Sequence, residues 1–313
     1  MAERTRLRIQ AEARRLGYVA NHAARQLAQG RFGRHRRAVE RVGFVLFGRH
    51  EPLRGAYLAI LAGVEQEVAG HGGTLLFMRE FSERPRARFV ELSRSGAVDG
   101  LALVGAVDDA ALRKAGRTGL PFVVMGDHHG SSPVHQATAD FPEMGRLAVR
   151  QLVARGHRRI GFVGATMRYV YQQEIRAGVR AALEESGLPA GAEWIQSHGA
   201  GENLMTPLRR LLALRPRPTA LILGEPKEAG HLLALLSGLG LKAPDDISLL
   251  SCEESDSLAV APGVAHVDAS MMEVGAAGAA LLREVAAAPD CPVRRVLAAP
   301  RFVEGGSVRK RGR

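Results

Sequence analysis

Few residues of this 313-residue chain combine the types and the spacing that active-site chemistry requires. Asp127, His128, His129 and His135 are metal-ligand types, but adjacent histidines point to opposite sides of an extended chain, which favours a polar loop over a metal site. The one carboxylate pair that we place near a cleft is Glu253-Glu254, and ligand binding explains it better than acid–base catalysis. We therefore expect neither a metal site nor a catalytic centre.

Sequence motifs of common enzymes are also missing. There is no Gly-x-Ser-x-Gly, no Gly-rich phosphate loop ending in Lys-Ser/Thr, and no His-Glu-x-x-His. The aspartate pairs at 108–109 and 245–246 are typical of helix starts and turns rather than of acid–base pairs. The sequence predicts a protein that is not an enzyme and that needs no cofactor.

Cysteine usage and hydropathy indicate where the protein works. The two cysteines, Cys252 and Cys291, have no paired spacing, so a disulfide scaffold or a cysteine zinc site is not expected. Residues 1–10 are polar and Arg-rich, unlike a secretory signal, and no apolar run approaches the roughly 18 residues of a membrane span. We expect a soluble cytoplasmic protein with no membrane partner.

Positive charge is concentrated at the two ends of the chain. Of the net charge of +11, residues 1–41 carry +8, from eleven arginines against three glutamates. Residues 309–313 add +4, so the remainder is close to neutral. A neutral body with a basic arm is typical of nucleic-acid binding, although a solvated Arg-rich terminus without a partner is the alternative.

The first 41 residues predict two short helices and a linker. Thr5 can cap the first helix, which ends at Gly17, and Asn21 can cap a second over residues 22–29. The second is too short and too thinly apolar to be stable alone, so it must fold against a partner. Residues 31–41 have the composition of a linker.

From residue 42 onward, short apolar runs alternate with amphipathic segments, which predicts the α/β class. This number of strands is larger than one sheet usually holds, which indicates two doubly wound parallel sheets packed as two lobes. We expect their strands to be buried on both faces. The predicted strands are 42–47, 74–78, 100–104, 121–125, 159–163, 220–223 and 247–252. The predicted helices are 58–69, 85–95, 108–116, 143–155, 174–186, 204–214, 227–239 and 271–288.

Several strings together resemble one protein family. Residues 21–27 read Asn-His-Ala-Ala-Arg-Gln-Leu, residues 98–101 Val-Asp-Gly-Leu, and residues 156–161 Gly-His-Arg-Arg-Ile-Gly. Residues 240–249, Gly-Leu-Lys-Ala-Pro-Asp-Asp-Ile-Ser-Leu, complete the series in the same order along the chain. In this order they resemble the LacI/GalR transcription regulators. That resemblance implies a helix-turn-helix head, a hinge helix, and a two-lobed core like that of periplasmic binding proteins.

The resemblance also implies the domain boundaries. Residues 1–41 would hold a remnant of the head, the hinge helix and the linker, and 42–313 the effector-binding core. Lobe 1 would span about 42–141 and 269–293, and lobe 2 about 142–268 and 294–313. The family's first two helices, including the major-groove reader, have no counterpart among Met1 to Arg4. Three alternatives would explain the missing helices: a start codon placed too late, a trimmed chain, or true loss of the recognition helix.

DNA contacts follow from the hinge-helix resemblance. Two hinge helices of a homodimer would meet in the minor groove of an operator, where Leu27 of each would wedge between base steps. Arg25 would lie near phosphate or the groove edge, Asn21 near the backbone, and Arg31 in the basic linker. The alternative for Leu27 is an ordinary packing leucine.

By position in the family, five residues are expected to line the effector site: Tyr57, Asp127, Asp140, Phe141 and Glu253. Any of them could instead be a capping or packing residue. Ile175 stands where the family commonly has arginine, and Glu225-Pro226 replaces an Asn-Asp pair. These departures weaken the case for a simple sugar as the effector.

The sequence therefore predicts a DNA-binding transcription regulator, in its simplest form a repressor, controlled by a small molecule such as a sugar or related metabolite. One alternative is a sensor that lacks specific DNA binding because its recognition helix is absent. The other is a solute-binding protein of a transporter, which would need an export signal that residues 1–10 do not resemble.

Overall fold

The structure is a computed structural model that describes residues 39–48, 55–80, 96–128, 130–164, 170–198, 202–224, 228–253 and 263–311. The chain divides between Arg37 and Ala38 into two compact units, and every described residue belongs to the second. The expected DNA contacts Asn21, Arg25, Leu27 and Arg31, and the helix predicted over 85–95, lie outside the described residues.

The first sheet has six parallel strands in the order β11-β5-β4-β3-β1-β2. Its central strand β3 is buried along its whole length, as expected for a strand covered on both faces. The prediction of burial on both faces is wrong for β2, which is an edge strand with exposed positions. The strands are β1 (Arg41–Phe47), β2 (Thr74–Glu80), β3 (Gly100–Gly105), β4 (Phe122–Met125), β5 (Gln136–Ala139) and β11 (Arg295–Ala298).

The second sheet also has six strands, in the order β12-β10-β9-β8-β6-β7. All of its described pairs are parallel except the edge pair of β10 with β12. The expectation of an all-parallel sheet is therefore wrong at this edge. The strands are β6 (Ile160–Gly164), β7 (Ile195–Ser197), β8 (Ala220–Leu223), β9 (Ser248–Glu253), β10 (Ala265–Asp268) and β12 (Arg301–Val303).

Seven helices of the described residues cover the faces of the two sheets. Asp108 begins the second of them, where its carboxylate accepts a hydrogen bond of 2.7 Å from the backbone N–H of Ala111. The predicted helix-start role of Asp108 is thereby confirmed. The helices are α1 (Gly55–Gly70), α2 (Asp109–Gly116), α3 (Phe141–Ala154), α4 (Val170–Glu185), α5 (Met205–Ala213), α6 (Ala229–Gly238) and α7 (Met271–Ala287).

Glycines allow the helices of each lobe to pack closely. A Cβ on Gly63 of α1 would stand 1.9 Å from the carbonyl oxygen of Met272, and one on Gly275 of α7 would stand 2.1 Å from that of Ile60. Both distances are far below a van der Waals contact, so each helix uses a glycine where the other's backbone approaches. Helices α3 and α4 meet in the same way through Gly145 and Gly178.

Three short connections join the lobes: β5 to α3, β10 to α7, and β11 to β12. The lobe boundaries expected from the sequence place residues 294–313 in lobe 2, and this is wrong for β11, which pairs with β5 in the first sheet. From β11 the chain passes directly into lobe 2 without a crossover helix. It enters the second sheet at the carboxyl edge of the other strands, so β12 must run antiparallel to β10.

Within the described residues, no helix has the length and apolar character needed to cross a bilayer.

Candidate functional site

The carboxyl edges of the two sheets adjoin the three connections between the lobes, so residues at these edges can be contacted from both sides. Asp127 lies two residues after β4, and Asp140 follows β5 directly. Glu253 is the last residue of β9, where its Cα pairs in register with that of Asp268 on β10. Ligands of open parallel sheets bind outside the carboxyl ends of the strands.

Asp127 contacts the opposite lobe. Its carboxylate accepts a hydrogen bond from the backbone N–H of Tyr171, in the first turn of α4. Burial and, to a smaller extent, the negative charge of Glu174 raise the pKa of Asp127 to about 6, against the lowering effects of Arg295 and of the hydrogen bond from Tyr171. A carboxyl group with this pKa changes its protonation in the physiological range.

Arg295 and Glu174 form a second contact between the lobes. The Nη2 atom of Arg295, on β11, lies 3.4 Å from Oε1 of Glu174, on α4. Glu174 is the more buried of the two side chains, at 24% exposure against 50% for Arg295. Asp127, Glu174 and Arg295 therefore form one charged cluster, the cross-lobe cluster, with two members in lobe 1 and one in lobe 2.

Asp140 and Phe141 have the contacts of structural residues. The carboxylate of Asp140 accepts a hydrogen bond of 3.0 Å from the backbone N–H of Glu143, which caps α3. Phe141 is only 2% exposed, and its ring centroid lies 5.6 Å from that of Tyr171. These contacts are those of the capping and packing alternative to an effector-lining role.

Tyr57 lies in the first turn of α1, after β1, where it is partly buried against the main hydrophobic core. Of the five expected effector residues, Asp127 and Phe141 are brought together, because both contact Tyr171. Tyr57 follows β1 of the first sheet, and Glu253 ends β9 of the second.

Several residues at this edge were not expected from the sequence. Tyr171, Glu174 and Arg295 carried no motif, and Arg295 was assigned to the other lobe. Ser270 lies at the β10–α7 connection with a left-handed backbone, φ 56°, and its N–H donates to Asp268 at 2.8 Å. Its hydroxyl is buried and has no hydrogen-bond partner among the described residues. A strained backbone next to an unsatisfied polar group is typical of functional sites.

The two described histidines near Asp127, His128 and His135, contact different groups. Nε2 of His128 lies 4.0 Å from the carboxylate of Asp109, while Nδ1 of His135 accepts from the backbone N–H of Arg294. Asp109 also accepts hydrogen bonds from Ser131 and Ser132, which lower its pKa to about 2. No group of three or more potential metal ligands occurs in the part of the chain that the structure describes.

Comparison with known proteins identifies this architecture. Residues 140–308, more than half of the chain, match the family model of the periplasmic binding protein-like domain. The chain is similar to the HTH-type transcriptional repressor PurR of Photobacterium profundum, at 24% identity over 82% of this chain and 75% of the relative. It is also similar to the catabolite control protein A of Priestia megaterium, at 23% identity over 89% of this chain and 82% of the relative.

Solved structures have the same fold. A regulatory protein of the LacI family from Chloroflexus aggregans superposes with a TM-score of 0.70, at 20% identity, covering 86% of this chain and 98% of that one. A complex of the transcriptional regulator CelR with cellobiose gives a TM-score of 0.68 at 21% identity, covering 98% of this chain and 91% of that one. The chain belongs to the periplasmic-binding-protein-like family and, within it, to the LacI/GalR transcription regulators.

Proposed function

We propose that this protein is a DNA-binding transcription regulator, in its simplest form a repressor, whose state is set by a small molecule bound between its two lobes. The observation that carries the proposal is the cross-lobe cluster. Asp127 and Arg295 of lobe 1 contact Tyr171 and Glu174 of lobe 2, so a ligand at this edge would change how the lobes are held together. A ligand shifts such an equilibrium only by its differential affinity for the two arrangements.

Our proposal assigns Tyr57, Asp127 and Glu253 to the effector site, and Asp140 and Phe141 to its structural support. The raised pKa of Asp127 supports a polar contact with the ligand. A neutral carboxyl group can donate a hydrogen bond, whereas a carboxylate is only an acceptor. A polar metabolite with both donors and acceptors fits this edge. The cellobiose of the CelR complex supports a small polar ligand in this fold, without identifying the ligand of this chain.

For DNA binding we propose the basic arm of residues 1–41, with Asn21, Arg25, Leu27 and Arg31 as contacts. Two chains would pair as a homodimer so that their hinge helices meet in the minor groove. The charge of the arm predicts strongly salt-dependent affinity, because each neutralised phosphate releases counterions. The proposal places the protein in the cytoplasm, with its DNA, and gives it neither a catalytic role nor a cofactor. The named relatives are regulators, which does not favour the transporter alternative.

A thermal-shift screen with sugars, sugar phosphates, polyols and nucleobases tests the effector site. A ligand that binds only the folded protein stabilises it by mass action and so raises the melting temperature. At a ligand concentration a hundredfold above Kd, the stabilisation is about 2.7 kcal/mol. Tyr57→Ala and Glu253→Ala should each remove that shift while leaving a cooperative unfolding transition.

The matched control is Glu193→Ala, an exposed glutamate before β7, which should respond to the ligand as the parent does. If both site variants keep the full shift, the effector binds elsewhere and the site assignment is wrong.

A further inference from the structure

Four arginines meet at the amino-terminal edge of the second sheet, although they come from three separate parts of the chain. Arg159 immediately precedes β6, and Arg217 lies three residues before β8. Since β6 and β8 are neighbours, their amino ends are adjacent. Arg309 and Arg311 follow β12. We call Arg159, Arg217, Arg309 and Arg311 the arginine patch.

The chain after β12 is held on the body of lobe 2 by backbone hydrogen bonds. The N–H of Arg309 donates to the hydroxyl of Ser248 at 3.2 Å, and its carbonyl oxygen lies 3.1 Å from Nε2 of His157. The N–H of Arg311 donates to the carbonyl oxygen of Arg155 at 2.8 Å. The basic residues that the sequence presents as a charged tail are therefore fixed parts of a surface.

The charged groups of the patch lie close enough to affect one another. Burial lowers the pKa of Arg311, and the positive charges of Arg309, Arg159 and Arg217 lower it further. The Nε atom of Arg311 is buried without a hydrogen-bond partner among the described residues. Nε of Arg159 donates to the carbonyl oxygen of Arg217 at 2.9 Å, which fixes these two segments side by side.

Little negative charge balances the patch. A carboxylate oxygen of Asp245 lies 3.9 Å from Nη1 of Arg309, and both side chains are largely exposed. Within the described ranges, no carboxylate forms an ion pair with Arg159, Arg217 or Arg311. The nearby Glu304 pairs instead with Arg155. Lys310 adds a further exposed positive charge.

Among the described residues, only Arg309 of the four has a carboxylate within ion-pair distance, so the guanidinium groups repel one another and an anion would relieve that repulsion. Guanidinium groups bind phosphate through two parallel hydrogen bonds, which suits arginine better than lysine. Arg217 and Arg309 are exposed, so the patch is an open surface rather than an enclosed pocket. An open surface fits an extended polyanion better than a single small anion.

We propose that the arginine patch binds the phosphate backbone of duplex DNA and gives the core a DNA contact of its own, in addition to the basic arm. The contact involves phosphate rather than base edges, so it is independent of DNA sequence. It goes beyond the proposed function, because the effector site and the arm do not require it.

The test uses the full chain and the double variant Arg217→Gln/Arg309→Gln. Both side chains are exposed, and the hydrogen bonds that Arg217 and Arg309 supply to the fold come from backbone atoms, which the variant keeps. The matched control is Arg113→Gln/Arg117→Gln, which removes the same charge from two exposed arginines in and after α2 of lobe 1.

Two measurements cover the two ways in which DNA can meet the patch. If arm and patch share one duplex, the slope of log affinity against log salt should fall by about two in the patch variant and stay at the parent value in the control. If they bind separate duplexes, the protein saturated on an immobilised duplex should capture a second, labelled duplex. This capture should fall at least several-fold only in the patch variant.

The proposal is overturned if the patch variant matches the control in both measurements. A melting-temperature measurement with tripolyphosphate is a third part of the test. If it raises the melting temperature of the parent but not of the patch variant, while both DNA measurements are unchanged, the patch binds small polyphosphates and the DNA proposal is wrong. An intact effector-induced thermal shift in the patch variant would separate either result from a failure of the proposed function.

Discussion

Arg295 and Glu174 lie 3.4 Å apart across the junction of the two lobes, although 121 residues separate them in the sequence. Both charges act on the pKa of Asp127, in opposite directions. Glu174→Gln should therefore lower that pKa towards the usual value of 3.8, and Arg295→Gln should raise it above about 6. Carboxyl NMR titration of the two variants and the parent measures both shifts. Shifts of the same sign would contradict the cluster.

Asp127 should cost stability at neutral pH. Its pKa is raised in the folded protein, so the folded state binds the proton more tightly than the unfolded chain does. Stability is then greatest below 3.8, falls as the pH rises through about 6, and is constant above that. Asp127→Asn can still accept the hydrogen bond from Tyr171, and it should add about 1 to 3 kcal/mol at neutral pH and little in acid.

Urea unfolding of the parent and of Asp127→Asn, at neutral pH and in acid, checks the Asp127 prediction. An equal effect of the variant at both pH values would show that the charge of Asp127 is not the cause.

His157 should make the fold sensitive to acid. It is fully buried between Thr219 and the carbonyl oxygen of Arg309, and Nε2 carries the proton because a carbonyl oxygen can only accept. Burial lowers its pKa below 6.5, helped by the charges of Arg311 and Arg309, although the hydrogen bond to the carbonyl of Arg309 opposes this. The unfolded chain therefore binds the proton more tightly than the folded protein does. The free energy of unfolding has its full value above pH 6.5 and falls as the pH drops below 6.5.

The melting temperature of His157→Gln should be lower than that of the parent at neutral pH, but should depend less on pH below 6.5. The exposed His71 supplies the control: His71→Gln should keep the pH dependence of the parent. If His157→Gln loses stability in acid as steeply as the parent does, another group is responsible.

The contact of Gly63 with the backbone of α7 predicts a strongly destabilising substitution. Gly63→Ala would place a Cβ 1.9 Å from the carbonyl oxygen of Met272, which must move, so we expect a loss of at least about 1 to 3 kcal/mol. Gly70→Ala, at the end of the same helix, has no atom within 4 Å and should change stability by less than about 1 kcal/mol. Denaturant midpoints of the two variants check this prediction. Equal effects would show that α1 and α7 pack less closely than the contact of Gly63 with Met272 requires.

Leu27 tests the hinge-helix interpretation, which stays a prediction because the residue lies outside the described part of the chain. Leu27→Ala keeps helix propensity and removes the wedge, so DNA bending should fall while core stability is unchanged. A packing role predicts the reverse, a loss of about 2 to 5 kcal/mol. Bending is measured on this chain and on one with a helix-turn-helix segment joined upstream, with Gln29→Ala as the control. Full bending by Leu27→Ala would rule out the wedge.

The sequence alone was enough to predict the α/β class and the family. Seven strands and seven of the eight predicted core helices correspond to elements of the structure, with small differences at their ends. Caps such as Asp108 could be predicted because their chemistry is local. Five strands were missed, namely β5, β7, β10, β11 and β12, each of only three or four residues. Such strands are too short to show a periodic pattern, and neighbouring strands rather than local preference hold them in the sheets.

Only the tertiary structure decided which distant residues meet. Asp127 was expected at the site from its position, but its pairing with Tyr171 and Glu174 depends on how two lobes face each other, which no spacing encodes. Arg295 belongs to lobe 1 because β11 completes the first sheet before the chain crosses. Likewise, the sequence presents Arg309 and Arg311 as a basic tail, and only the fold brings them to Arg159 and Arg217. Electrostatic effects depend on distance in space, and the chain order does not determine that distance.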